Sequence, residues 1–193
     1  MEKTILVTRK INCSELSMEQ FVELMGNDLK IAYEEYVRIF KPIDEARYNL
    51  NVERNKIAVE LKAREYATKK WKTDKKRDAY VAKEVAKIKV EPFKFYPVSF
   101  FDFEVEPWKN GISECCILHP FETVERLKQC FEYIKDNEYF KSAKGWQLID
   151  VRNFRPEIKL ILDEEMENKY HNAERKLSES IFEFYKNTNY CGD

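Results

Sequence analysis

Between Pro42 and Pro92 the chain reads, from Ile43 to Glu91, IDEARYNLNVERNKIAVELKAREYATKKWKTDKKRDAYVAKEVAKIKVE, which is 49 residues with neither glycine nor proline. Good helix formers, chiefly Lys, Glu, Ala and Arg, dominate it. The composition predicts a helix from about Asp44 to about Lys89, running about 68 Å at the α-helical rise. A compact domain of 193 residues is only about 42 Å across. Such a helix must protrude, break, or pair with something outside the core. Asn49-Leu50-Asn51 and Thr73-Asp74 are the two places where its sequence weakens.

Upstream, residues 3–12 (KTILVTRKIN) are rich in β-branched side chains and predict a first strand. Ser17-Met18-Glu19-Gln20 is a capping-box pattern, flanked by Leu16 and Phe21 as a hydrophobic staple. The helix it opens carries Phe21, Leu24, Ala32, Tyr36 and Ile39/Phe40 on one face. Gly26-Asn27-Asp28 weakens it and Pro42 is expected to end it.

Downstream the character changes. Phe93, Phe95, Tyr96, Phe100, Phe101, Phe103 and Trp108 crowd between Pro92, Pro97 and Pro107. Val98–Val105 predicts a strand buried on both faces, made irregular or held at an edge by Pro107. Asn110-Gly111 is a hairpin turn leading into a third strand, Ile112–Leu118. His119-Pro120 is expected to open a helix, with Val124, Leu127, Phe131 and Ile134 as its core stripe. After Lys144-Gly145, the residues Trp146, Leu148, Ile149 and Val151 make a fourth strand. Pro156 is expected to start a last helix reaching about Asn187, striped by Leu162, Met166, Tyr170, Ala173, Leu177, Ile181 and Phe184 at coiled-coil spacing.

The predicted class is therefore α+β: a small sheet in βαββαβ order, as in the ferredoxin-like arrangement. Its first crossover is enlarged into a very long helix or helical hairpin, and a long C-terminal helix follows. We expect one domain over 1–193. Within it, 43–90 form the projecting helix, 92–155 the α/β body and 156–188 the C-terminal helix.

Composition narrows the chemistry. Only 4 glycines occur, and neither a phosphate-cradling loop nor a dinucleotide fingerprint can be written from them. The 5 cysteines are odd in number and show no CxxC spacing, as for reduced thiols in a cytoplasmic protein, in the host cytoplasm or a virion if viral. Ile5-Leu6-Val7 is too short for a signal core. No apolar run approaches the roughly 18 residues that span a bilayer, so no membrane partner is expected. The formal net charge of −1 gives no whole-chain attraction to nucleic acid.

Locally the balance differs: 11 Lys/Arg stand against 4 Asp/Glu between Lys62 and Lys89. On one continuous helix Lys62, Lys69, Lys72, Lys76, Lys83 and Lys87 share a face. They could touch phosphates or an acidic partner such as the Asp163, Glu164, Glu165 and Glu167 cluster. Lysines on a helix are more often a solvated face with stems covering apolar surface. The aromatic block could stack bases, but Ile112–Leu118 lacks the Gly-aromatic signature of RNA-recognition modules. Phe93, Phe95, Tyr96, Phe101 and Trp108, with Tyr170, Leu177 and Phe184 of the last helix, are expected to make an interface.

Cys115, Cys116 and His119 are near in sequence, yet strand neighbours face opposite ways and do not converge on a metal. His171 is expected to be a solvated side chain. Asp150 with Glu157-Ile158-Lys159 mimics a nuclease carboxylate–carboxylate–lysine set, but a first helical turn would hold Glu157 and Lys159 for the helix dipole instead. No catalytic residue, metal or cofactor is expected.

In its Lys-, Glu-, Asn- and Tyr-rich, glycine-poor, motif-free composition the chain resembles phage structural and accessory proteins. The expected function is a non-enzymatic structural or assembly protein of a larger complex, a virion neck or connector ring component. Its partners would be other protein subunits, identical copies among them. The alternative is a nucleic-acid-binding or host-inhibitor protein that uses the lysine stripe.

Overall fold

The β-branched residues of Lys3–Lys10 form the first strand, β1, and a 3-10 turn at Cys13–Glu15 leads to the capping box. There the Ser17 amide donates to Gln20 Oε1 at 3.0 Å, and the Gln20 amide donates to Ser17 Oγ at 3.2 Å. The helix so opened, α1, runs from Met18 to Lys70, 53 residues. The remaining elements are α2 (Asp74–Ala86), β2 (Phe101–Lys109), β3 (Ile112–Leu118), α3 (Val124–Ile134), α4 (Glu138–Ser142), β4 (Gly145–Val151), β5 (Pro156–Leu160) and α5 (Glu164–Asn187). This is a computed structural model that describes residues 3–109, 112–151 and 156–187. Its class is α+β, with a small sheet, one very long helix and a long C-terminal helix, as the sequence implies.

The chain divides into two compact units: Met1–Tyr36 with Val98–Asp193, and Val37–Pro97. In the first unit the strand order is β1-β4-β5-β2-β3. All neighbours are antiparallel except β2 and β5. The ferredoxin-like order is thereby corrected: a fifth strand enters the sheet and the first strand stands at an edge. That fifth strand is Pro156–Leu160, expected to be the start of a helix. Proline suits a first strand residue, and hydrogen bonding to β4 and β2 outweighs the local helix tendency. The helix begins later, where the Met166 amide donates to Asp163 Oδ1 at 3.0 Å.

One face of this sheet carries the core. Phe21 on α1 lies 5.9 Å from Trp146 and 5.3 Å from Phe131, ring to ring. Met25, Leu29, Ala32, Tyr36, Phe101, Phe103, Leu127, Ile134, Leu148 and Ile158 are buried with them. Asp28 is fully buried, accepting from Arg9 at 2.6 and 3.1 Å and from Trp146 Nε1 at 2.9 Å. It ties β1, α1 and β4 together. Gly145 begins β4 at φ 124°, and a Cβ there would stand 1.8 Å from the Arg9 carbonyl oxygen. Only glycine fits.

Other expectations are corrected. α3 starts at Val124, not at His119-Pro120, because the Thr123 hydroxyl caps it, accepting from the Arg126 amide at 3.2 Å. Val124 is exposed, whereas Leu127, Phe131 and Ile134 are buried. Val98–Phe100 stand outside β2, and among the described side chains of that strand Phe101, Phe103 and Val105 are the buried ones. The β2–β3 register slips on both sides of Glu106, close to Pro107. Asn110-Gly111 lies outside the described residues.

In the second unit α1 continues through Pro42 and through Asn49–Asn51 without a break. Pro42 is exposed, so its ring meets no neighbouring core, and only the bond to the carbonyl four residues back is lost. The single long rod is corrected at its other end. The helix stops at Lys70, and Thr73, extended at φ −105° and ψ 138°, starts α2. Ala63, Ala67 and Val81 are buried between the two helices, with Trp71, Tyr80 and Val85 packed on them. The alanines allow close backbone approach. Arg64 pairs with Asp78 at 3.5 Å, and Arg77 Nε donates to the Trp71 carbonyl at 2.8 Å. An extended segment follows, on which Phe93 stacks at 5.7 Å from Tyr48, whose hydroxyl donates to the Glu91 carbonyl. Among the described residues no helix is long and apolar enough to cross a membrane.

Candidate functional site

Helix α1 displays a repeat that its packing only partly uses. Leu29, Tyr36, Ile43, Leu50 and Ile57 recur every seventh residue, the coiled-coil seam spacing. Leu29 and Tyr36 are fully buried. Past them the seam is bare: Ile43 is 47% exposed, Leu50 52%, Ile57 52% and Leu61 63%. At 100° per residue these four lie within about 40° of one another. Tyr48, Val52, Val59 and Ala63, which the second unit covers wholly or in part, lie roughly opposite. Helix α1 thus holds its own chain with one face and offers an apolar stripe with the other.

The hairpin end of the same unit is basic. Lys62, Lys69, Lys72, Lys76, Lys83 and Lys87 are all exposed, but divided over α1, the turn, α2 and its C-cap rather than set along one helix. Lys69 is paired with Glu65 at 2.8 Å and Lys87 with Glu84 at 2.6 Å. Beside them Tyr66, Trp71 and Tyr80 form an aromatic group, Trp71 and Tyr80 4.9 Å apart. Lys70 stands over the rings of Tyr66 and Trp71 at 5.3 and 5.1 Å. The residues 37–97 hold 17 Lys/Arg against 9 Asp/Glu, net +8, and the remainder 17 against 26, net −9.

The second face of the sheet carries the acid. A cavity of about 370 Å³ lies between α5 and strands β2 and β5, lined by Asp102, Glu104, Glu157, Glu167, Tyr170 and Glu174 together with Lys3, Lys159 and His171. Burial, then the nearby Glu104 and Glu174 carboxylates, push the Tyr170 hydroxyl above its ordinary range. His171 is exposed and lies 3.0 Å from Glu174. Lys159 pairs with Glu157 at 3.3 Å.

Asp150 does not join that pair. Its strand partner is Pro156, whereas Glu157 faces Ile149. Successive strand residues point to opposite faces, so Asp150 and Glu157 are separated by the sheet. Both Glu157 and Lys159 are strand residues, which corrects their expected place in a helical turn. Among the described residues no group of three or more His, Cys, Asp or Glu is arranged to hold a metal.

Cys13, Cys116 and Cys130 are buried free thiols. Burial pushes Cys13 up to about 11. Cys116 and Cys130 hydrogen-bond to each other, which raises Cys130 and lowers Cys116. His119 is held by its Nδ1, which donates to the Ser99 carbonyl at 2.6 Å. The Cys115 side chain lies outside the described residues.

The expected interface residues are dispersed. Phe101 is a core residue, fully buried against its own sheet. Phe93 and Phe95 are half-buried, while Tyr96 is 76% exposed. Tyr170 is half-buried with its ring 5.3 Å from Tyr139, and Leu177 is half-buried. Ile181, Phe182 and Phe184, in the last turns of α5, are exposed. The Trp108 side chain lies outside the described residues. Comparison with family models, with curated proteins and with solved structures finds no match.

Proposed function

We propose that this chain is a non-enzymatic structural subunit of a larger assembly, bound to its neighbours through helix α1. The observation that carries this is the bare stripe of Ile43, Leu50, Ile57 and Leu61, opposite a face already occupied by the chain's own residues. Apolar side chains aligned over several helical turns, and left in water, mark a protein-binding surface. The exposed end of α5, with Phe182 and Phe184, offers a second contact. A repeating ring such as a virion neck or connector is the kind of assembly proposed; its support is compositional. The test is the native mass of the protein isolated from its natural source. A mass well above 23.3 kDa that falls on Leu50→Glu supports the reading. An unchanged mass in that variant refutes it.

Nucleic-acid binding by the basic hairpin is the second reading, favoured by the concentration of positive charge in residues 37–97 and by the aromatic group beside it. The 260/280 nm absorbance ratio of the same isolated material tests it. A ratio of protein alone, with no retention of an added oligonucleotide, disposes of it.

A further inference from the structure

We propose that the occupant of the α1 stripe is a second copy of this chain, paired parallel and in register from Ile39 to Ile57. This rests on the assembly reading above and names its partner. In heptad terms Ile43, Leu50 and Ile57 take the a positions, and Ile39, Ala46 and Glu53 the d positions. All but Glu53 are apolar, and that exception sets the orientation.

In a parallel pair each d side chain enters a hole formed by four residues of the facing helix. For Glu53 those residues are Leu50, Glu53, Arg54 and Ile57 of the second copy. Each Glu53 carboxylate then lies beside an Arg54 guanidinium, and two acids balance two bases within one layer. Neither Glu53 nor Arg54 has a hydrogen bond or ion pair in its own chain among the described residues. Both are exposed and available. An antiparallel pair instead brings e positions against e positions. Arg47 and Arg54 both occupy e, so arginine would meet arginine; Arg47 has only Asp44 of its own helix beside it, at 3.5 Å, and Arg54 has no carboxylate partner among the described residues. Like charges juxtaposed in this way work against that orientation.

The remaining surface agrees with a second copy rather than a longer coil. Tyr48 on the far side packs against Phe93 and the Glu91 carbonyl, and Ala63 and Ala67 against α2, so that face is already engaged by the chain's own residues. The apolar seam also ends after Ile57: Glu60 and Arg64, the next d and a positions, are charged and paired with each other at 3.0 Å.

The experiment uses the full chain with single cysteines at the stripe, under mild copper-phenanthroline oxidation, with the unsubstituted chain as control. Ile43→Cys, Leu50→Cys and Ile57→Cys should each give a covalent dimer with itself, and the control none. Differently tagged Ile43→Cys and Ile57→Cys chains should not cross-link to each other. Sedimentation should show the Glu53→Arg chain dimerising roughly tenfold more weakly. The double variant Glu53→Arg/Arg54→Glu should recover the original affinity. Absence of the Leu50→Cys dimer, dominance of the Ile43–Ile57 cross-link, or failure of the double variant to recover overturns the proposal. The assembly reading fails separately. If these cross-links are absent but Leu50→Glu still lowers the native mass of source material, the stripe holds a different protein. If Leu50→Glu also leaves that mass unchanged, both readings fall.

Discussion

Asp28 and Asp150 are both acidic and almost completely buried, yet they stand in opposite circumstances. Asp28 accepts three hydrogen bonds, two from Arg9 and one from Trp146. Removing it in Asp28→Ala leaves the buried indole N–H without an acceptor, while Arg9, a third exposed, can turn to water. The expected loss is about 2–3 kcal/mol, and Asp28→Asn, which keeps an acceptor for Trp146, should lose less. Urea unfolding of both variants measures this. Asp150 Oδ1 has no hydrogen-bond partner among the described residues, and burial raises its pKa above the ordinary carboxylate value. The folded state therefore holds the proton more tightly than the unfolded one. Stability from this group is greatest below the ordinary carboxylate pKa and is lost as pH rises through the raised folded value. Asp150→Asn should raise stability at neutral pH by about 1–2 kcal/mol. The advantage over the natural chain should shrink toward pH 4, and a pH-independent difference between the two urea midpoints would count against this account.

At the scale of elements, α1 shows both what local sequence reveals and what hides from it. The capping box at Ser17 and Gln20 is legible because it is local chemistry: each partner satisfies the other's backbone amide. The chain break at Thr73-Asp74 is legible for the same reason. Pro42 misleads. Its local cost is real, but the stripe from Phe21 to Tyr36, fully buried at one end of the helix, and the packing of Tyr48 and Ala63 at the other keep the helix continuous. Expecting a stop there separates the buried members of the seventh-residue repeat, Leu29 and Tyr36, from the bare ones, Ile43, Leu50 and Ile57, so the repeat is not read as one seam. β5 misleads in the other direction. Pro156 looks like a helix start until two neighbouring strands supply its partners. Of the candidate site, the exposure of the lysines is legible but their division over a hairpin is not. Pro42→Ala restores a donor to the carbonyl of Arg38 and replaces the worst helix former with the best. It should stabilise the chain by about 1–3 kcal/mol, read as a higher melting temperature by circular dichroism at the helix band.

For the whole molecule the governing fact is charge that cancels in the total but not in the parts. The net charge of −1 conceals +8 in residues 37–97 and −9 elsewhere. At physiological ionic strength fields decay over about 8 Å, so a polyanion touching the hairpin senses chiefly the charges nearest to it. Near the turn, Lys69, Lys70, Lys72, Lys75, Lys76 and Arg77 crowd within nine residues with only Asp74 to oppose them. The chain should therefore be retained on heparin in spite of its overall charge. Reversal of Lys69, Lys72 and Lys76 to glutamate takes the unit from +8 to +2 and should bring elution to distinctly lower salt. If an oligonucleotide binds, the slope of log affinity against log salt should flatten by about 2 to 3 for the three lost phosphate contacts. None of these lysines belongs to the α1 stripe, so sedimentation of the same variant should match that of the natural chain. A reversal that abolished self-association along with heparin retention would place the neighbour on the hairpin rather than along the seam, and would move the assembly contact from apolar to electrostatic.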